Sequence, residues 1–586
     1  MLKLFKRLKA KEWVMAAACL ILIVGQVWLD LRLPEYMTEI TRLVQTEGSE
    51  MAAILTAGGK MLLCALSSML LAIVTGFFTA VIAATLTRRL QSEMYHKVLS
   101  FSSEEMGRFS TASLITRSTN DVNQVQMIVA MGMQMLIKAP IMAVMAIGKI
   151  QNTGSWQWTA LTAGAVALLL IAIAILMGYA LPKFKRIQVL TDNLNRITRE
   201  NLIGLRVVRA YNAEKYQENK FTRANTEMTE NNLKAQRAMA CASPVMNVVM
   251  NGLTLGIYWI GAILINSAAL TDKLNIFSNM VVFSSYAMQV IMSFIMVAMI
   301  FVMMPRASVA ANRILEVLET KPSIKNGQKD GVTGKTGEIE FRDVSFRYPD
   351  ADKDVLHNIS FTAGRGETVA FIGATGSGKT TLVNLIPRLY DVSSGSVLVD
   401  GVDVRDYDMH ALRNKLGYVS QKAVLFAGDI RSNITLGENG QAAASDKDVE
   451  TAIDIAQSSD FVGNIPEGIG GSVAQNGANF SGGQKQRLSI ARAIARKPEI
   501  YIFDDSFSAL DYKTDRTLRT RLKKETAGVT TLIVAQRIGT ILDADKIIVL
   551  EDGKAVGIGS HRELLKSCPV YQEIAASQLS KEELEL

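Results

Sequence analysis

The sequence predicts an α-helical membrane domain of six transmembrane helices with long cytoplasmic extensions, followed by an α/β P-loop domain. Three observations predict it. Six predominantly apolar stretches, roughly 13–33, 61–86, 128–150, 158–181, 241–268 and 277–304, are each long enough for the about 20 residues that a bilayer requires. From Gly337 onward, short strands of period two interleave with helices, the pattern of a partly parallel sheet. Within that half, Gly373, Gly378, Lys379 and Thr380 satisfy Gly-x-x-x-x-Gly-Lys-Ser/Thr between an apolar strand and a helical pattern.

The chain has 586 residues, 49% of them apolar, and a formal charge of +8. That length would hold about four ordinary domains, but long uncharged runs fill its N-terminal half. The positive charge sits in loops and flanks, which fits a lipid bilayer and its anionic headgroups as partner and no nucleic acid. Cys19, Cys64, Cys241 and Cys568 have no paired spacing and read as small apolar residues.

In chain order, the basic start Met1–Lys11 and the apolar run after it have the outline of a signal peptide. No small-x-small cleavage site follows, so an uncleaved first span with a cytoplasmic basic flank is expected. Residues 182–240 hold 12 Lys/Arg, and 87–127 carry Arg88, Arg89, Lys97, Arg108 and Arg117, whereas 35–60 carry only Arg42 and Lys60. By the positive-inside rule both termini and the two long loops are cytoplasmic. Trp156 and Trp158 fit an interfacial aromatic belt. The long loops read as helical extensions of the spans, each interrupted by a short polar break, Arg108–Asp121 and Arg209–Glu214.

Two features lie inside the spans. Lys138, in span three, marks either a solvated cavity or a lysine that snorkels to the headgroups, and the sequence leaves both open. Met288, Met292, Met296, Met299 and Met303 share one face of span six. Such a stripe is packing or, less often, an adaptable apolar surface for a small amphipathic substrate.

The domain boundaries read as 1–304 membrane, 305–336 linker and 337–586 nucleotide-binding. In the glycine loop, backbone N–H groups and a helix N-terminus can cradle phosphates, Lys379 can reach the β- and γ-phosphates, and Thr380 can ligate Mg²⁺. The strand Ile500–Asp504 ends in a carboxylate suited to the same ion. Between them Ser481-Gly-Gly-Gln484 opens a basic amphipathic helix, which is either a second phosphate grip or an N-capped surface helix.

The order Tyr348, Gly373–Thr381, Gln421, Phe480–Gln484, Phe503–Asp504, Ser508–Asp511 resembles the ATPase domain of ABC transporters, and the whole chain resembles a half-transporter of the ABC exporter type. The resemblance implies ATP and Mg²⁺ as ligands and a head-to-tail dimer, each ATP lying between one chain's glycine loop and the other's Ser-Gly-Gly turn. It implies that Gly373, Thr375, Gly376, Ser377, Gly378, Lys379, Thr380 and Thr381 hold the phosphates of one ATP, and Ser481, Gly482, Gly483 and Gln484 those of another. Tyr348 would stack on adenine, Gln421 would sense the γ-phosphate and assist Thr380 and Asp504 at the metal, and the two polar breaks would be coupling helices.

Two positions depart from the pattern. Asp505 stands where hydrolytic members carry glutamate, and Gln536 where they carry the switch histidine; His96, His357, His410 and His561 fall elsewhere. The loop before the signature, usually acidic, reads Ser472–Gly477 with no acidic residue. Losing one methylene retracts the carboxylate by about 1 Å, which can cost about 10²-fold in rate. Glutamine cannot carry a proton. The expected protein is thus the degenerate-site subunit of a bacterial heterodimeric exporter of amphipathic small molecules (drugs, lipids or peptides) in the cell membrane. Its second half-transporter would complete the competent site. A homodimer with two slow sites and an ATP-gated regulatory membrane protein are the alternatives.

Overall fold

The structure, a computed structural model, describes residues 2–45, 50–153 and 155–579. It divides into two compact units, residues 1–99 with 111–320, and residues 100–110 with 321–586.

The first unit is helical. Among the described residues six helices are long and apolar enough to cross a membrane, the first four extending past the expected spans at both ends and the last two starting before them: Ala10–Val44, Met51–Leu99, Thr111–Gln151, Trp156–Ile203, Glu214–Ser267 and Asp272–Ile300. Leu, Ile, Ala and Met favour helix, and in a bilayer only internally bonded backbone is stable. Hence Pro34, Pro140 and Pro182 sit inside helices without ending them. The core gathers Ile23, Val27 and Leu31 of the first helix, Trp158 of the fourth, and Phe283, Tyr286 and Val290 of the last. Trp158 is 2% exposed and donates its indole N–H to the Ile257 carbonyl at 3.1 Å, so it is a core residue and not part of an interfacial belt; Trp156 is exposed.

Lys138 does not snorkel. Its Nζ lies 3.1 Å from Asp30 Oδ2 on the first helix, and Asp30 Oδ1 accepts from Ser68 on the second at 2.5 Å. A charge far from water is stabilised by an opposite charge and hydrogen bonds, which this triad supplies. The methionine stripe lies off the buried face of its helix, with Met292 and Met299 exposed and Met288, Met296 and Met303 half-buried. Met303 joins Met131, Met135 and Ile128 around a small apolar pocket beside a π-helical turn, Ile128–Gly132.

The helix in the first polar break is interrupted only at its start, at Phe109 and Ser110, with a second interruption at 100–102 before it. A short helix spans Ser103–Arg108, opened by a capping box between Ser102 and Glu105 and closed by extended backbone at Phe109. From Thr111 the chain is helical again, through a π-helical turn at Arg117–Asp121. The Ser/Thr/Asn content of 111–121 reads as a break because these residues compete for backbone hydrogen bonds. Here Ser118 and Thr119 instead bond back to the Ile115 carbonyl within the helix. The second break spans a short helix, Leu205–Ala210, and a turn in which Asn212 takes φ 48°. The last membrane helix runs unbroken from Leu270 to Glu319, through the expected start of the linker.

The second unit is α/β. Its main sheet orders the strands Lys554–Gly559, Lys546–Glu551, Thr368–Gly373, Thr530–Val534, Ile500–Asp504 and Leu416–Val419. All neighbours but the first pair are parallel. Continuous apolar runs such as Ile500–Phe503 and Thr530–Val534 are buried throughout, as parallel strands covered on both faces require. A second, antiparallel sheet contains Leu356–Ala363, Ile339–Phe346, Ser394–Val399 and Val402–Asp403. Residues 100–110 belong to this unit: the Glu105 carboxylate, 5% exposed, accepts the Ser323 N–H at 2.8 Å.

Asp30→Asn should lower the thermal stability of the purified protein, by roughly 1–3 kcal/mol for this partly exposed pair, because Lys138 is left without its counter-charge. Asp30→Asn with Lys138→Met should recover part of that loss, read as the melting temperature in one detergent. Equal or additive losses would show that the pair is not coupled.

Candidate functional site

Parallel pairing aligns the C-terminal ends of four neighbouring strands, and the predicted nucleotide residues follow those ends. Phe371 and Asp504 both register with Val534, and Val419 with Phe503. The segments just beyond carry the glycine loop, Gln536, Asp504–Asp505 and Gln421. Crevices outside the carboxyl ends of parallel strands are where open α/β sheets bind ligands.

The loop's glycines are required by its shape. Gly376 and Gly378 take φ 88° and 96°. A Cβ on Gly373 would stand 2.1 Å from the Leu550 carbonyl oxygen, so backbone replaces side chain there. Lys379 opens the following helix and folds back, donating to the carbonyls of Gly373 at 2.9 Å and Ala374 at 2.8 Å. Burial pulls its ammonium below the ordinary lysine value, opposed by the Asp505 and Asp504 charges. An anionic ligand in the loop would gain both this charge and the free N–H groups of the helix start.

Thr380 Oγ1 donates to Asp504 Oδ1 at 2.8 Å. Two hard oxygens this close suit Mg²⁺, which takes few protein ligands and fills its octahedron with water and phosphate. Burial raises the Asp504 carboxyl above its usual range, and the Asp505 charge adds to the rise against the Thr380 hydrogen bond and Lys379. A divalent ion there would offset that repulsion.

Asp505 follows with a left-handed backbone, φ 47°. One of its carboxylate oxygens, Oδ2, accepts from Gln536 Nε2 at 2.7 Å and from Gln421 Nε2 at 3.2 Å. Burial pushes its carboxyl up as well, opposed by hydrogen bonds from Gln421 and Ser508, by Lys379 and by Gln536. Glycine loop, Asp504, Asp505, Gln421 and Gln536 thus form one connected cluster. Tyr348 joins it through its hydroxyl, 2.9 Å from Thr381 Oγ1, and its ring packs edge-on against Tyr390. Thr375 and Ser377 lie within the loop, the Ser377 hydroxyl 3.3 Å from Lys379 Nζ.

Ser481–Gln484 stands apart. Among the described residues no hydrogen bond ties it to the cluster. Ser481 caps the helix Gly482–Ala495 in a reciprocal box with Gln484. Ser481 and Gly482 are exposed, and a Cβ on Gly482 would meet nothing within 4 Å. A helix start left open in this way can serve a ligand on another molecule. Lys138 and the methionine stripe lie in the other unit, on the mutually packed helices Met133–Thr153 and Leu270–Glu319.

Sequence reading missed two groups. Gln578, in the helix Pro569–Gln578, brackets the loop of Gln536: its amide donates to the Gln536 carbonyl at 3.0 Å and accepts the Ile538 N–H at 2.8 Å. Only the fold brings a residue about 40 positions away to that loop. Asp30, near the end of the first apolar run, was visible as a charge, but its pairing with Lys138 was not.

Residues 15–305 match the ABC transporter transmembrane region and residues 356–508 the ABC transporter family. The chain is 40% identical to an uncharacterized ABC transporter ATP-binding protein, Mb1304c, of Mycobacterium bovis, over 90% of this chain and 88% of that one. It is 36% identical to YfiB of Bacillus subtilis, also an uncharacterized ABC transporter ATP-binding protein, over 86% of both. It is 30% identical to an ATP-dependent lipid A-core flippase of Aromatoleum aromaticum, over 86% of this chain and 82% of that one. A solved bacterial Atm1-family ABC exporter with ATP bound superposes with a TM-score of 0.79 at 23% identity, covering 97% of this chain and 98% of that one, a likeness of fold.

Because Asp504 is more costly to ionise in the folded chain than in the unfolded one, its charge lowers the stability of the empty domain at neutral pH, and the cost fades as pH falls through the raised value. Asp504→Asn should therefore raise the melting temperature without nucleotide and abolish the extra rise that Mg²⁺ adds to ATP. A lower melting temperature without nucleotide would contradict this assignment of the charge.

Proposed function

Since the chain belongs to the ABC transporter family, as a half-transporter with one membrane domain and one ATP-hydrolysing domain, we propose that it is the ATP-holding subunit of a heterodimeric exporter of amphipathic small molecules. Both termini and the ATPase domain face the cytoplasm of a bacterial cell. The observation that carries this reading is the double amide clamp on Asp505 Oδ2. A base at this position must take a proton from water attacking the γ-phosphate. Asp505 is a methylene shorter than glutamate, one of its oxygens is already spent on two N–H donors, and Gln536 has no proton to give or positive charge to lend. ATP would bind here through the glycine loop, Lys379 and Tyr348, and turn over slowly.

Thr380 and Asp504, assisted by Gln421, would hold Mg²⁺, which would supply charge neutralisation to the phosphates. The open turn Ser481–Gln484 would face the glycine loop of a second half-transporter that supplies its own base and switch residue. ATP at both sites would then draw the ATPase domains together, and the short helices Ser103–Arg108 and Leu205–Ala210 would pass that closure to the membrane domain, which alternates its access. An amphipathic cargo fits the exposed thioethers of Met292 and Met299 and the ion pair at Lys138. One of the relatives is named as a flippase of lipid A-core.

The two half-sites can be tested separately. Gly482→Glu adds a charged side chain to open space and should reduce the ATPase rate of the complex by roughly 100-fold, as misplacement at the hydrolytic site would. Asp505→Asn should change it by less than about 3-fold, since this base contributes little. Large and equal losses would identify two equivalent working sites in a homodimer. A purified complex with ATP bound and no turnover in the unmodified protein would instead identify a regulator.

A further inference from the structure

A polar cleft of about 320 Å³ opens in the membrane domain between the end of its first long helix and the start of its last. The first helix supplies Glu35, Thr38, Glu39 and Arg42, and the last supplies Asn275, Ser278 and Asn279. The loop charges assign this end to the cell exterior.

Most of the charge in the cleft is already spent. Both Glu35 oxygens are used: Oε2 meets Arg32 at 2.7 Å, and Oε1 meets Lys149 at 2.5 Å and the Tyr286 hydroxyl at 3.4 Å. Arg42 is itself engaged. The Thr38 hydroxyl donates to the Pro34 carbonyl at 3.2 Å. Among the described residues, the side chains of Glu39, Asn275 and Asn279 have no hydrogen bond or ion pair. Ser278 is the telling group. It is 4% exposed, it lines the cleft, and its hydroxyl has no partner among the described residues. A buried hydroxyl without a partner costs free energy that a ligand can recover.

The unspent capacity is therefore one carboxylate, one buried hydroxyl and two amide side chains. A carboxylate with neutral acceptors around it suits a small cation that carries several N–H donors. An anion would meet the Glu39 charge while the cation that lines the cleft, Arg42, is already engaged, and an apolar group would leave Ser278 unsatisfied. We propose that this cleft binds the primary ammonium group of an amphipathic substrate, with Glu39 as the counter-charge and Ser278 and the two asparagines as hydrogen-bond partners. The substrate's apolar chain would lie along the exposed apolar helix surfaces. This assignment rests on the export of amphipathic molecules proposed above and names the headgroup that this site accepts.

The test uses the full-length protein, with any partner chain that copurifies, in lipid nanodiscs. Binding of dodecylamine, cationic at pH 7, and of uncharged dodecanol is followed by tryptophan fluorescence. The same two compounds are assayed as stimulants of ATP hydrolysis. Glu39→Gln should weaken dodecylamine binding about tenfold, in the range of one charge-assisted contact, and leave dodecanol binding unchanged. Ser278→Ala should weaken it less, and Ser278→Thr, which keeps the hydroxyl, should restore most of the loss. Unchanged dodecylamine binding in Glu39→Gln, or equal losses for both compounds, would overturn the proposal. Failure of the exporter reading has a different signature: neither compound would stimulate hydrolysis in the unmodified protein, whatever Glu39 does to binding.

Discussion

Parallel registry of the strand Thr368–Gly373 with Thr530–Val534 on one side and Lys546–Glu551 on the other is the constraint on which the nucleotide site depends. It brings three chain-distant segments to one edge. It also leaves so little room at Gly373 that only glycine fits beneath the Leu550 carbonyl. Once that edge exists, Lys379, Thr380, Asp504 and Asp505 converge without further invention. Convergence has a cost, because two carboxylates sit beside each other in partly buried surroundings, and both are pushed above their ordinary values. The site is pre-stressed for a cation and for the phosphates that accompany it.

The membrane domain solves the opposite problem. Charges that span a low-dielectric layer must find partners inside the protein, and they do so across helices: Lys138 with Asp30, and Lys149 with Glu35. These pairs tie the first and third long helices near the same ends. Glu39, one turn beyond Glu35, has no hydrogen bond or ion pair among the described residues, which sets the cleft apart from the packed interior.

Much of this was legible in sequence, for identifiable reasons. The glycine loop is legible because its function dictates residue types at fixed spacing, and the strand ending in Asp504 because burial on both faces forbids polar residues within it. Six apolar runs located the membrane helices, although polar helical extensions of the runs blurred most boundaries. Two features misled. The Ser/Thr/Asn content of 108–121 signalled one long break, whereas the chain is interrupted there only at Phe109 and Ser110, and from Thr111 a continuous helix absorbs the polar groups into its own backbone bonding. Trp158 was read by its position near a span end, whereas packing against Phe283 decides its place. Pairings such as Asp30 with Lys138, or Gln578 with the loop of Gln536, join residues far apart in the chain and leave no periodic trace.

The proposed role of the amide clamp on Asp505 makes a kinetic claim: ATP held on this chain would outlive hydrolysis at a second site completed by a partner. The direct measurement is the chemical state of bound nucleotide in the purified complex, sampled by acid quench through several turnovers. The account predicts that about half of the bound nucleotide remains triphosphate while the rest cycles to diphosphate, and that Asp505→Glu with Gln536→His shortens the life of the retained fraction. Uniform conversion of all bound ATP at a single rate would contradict it.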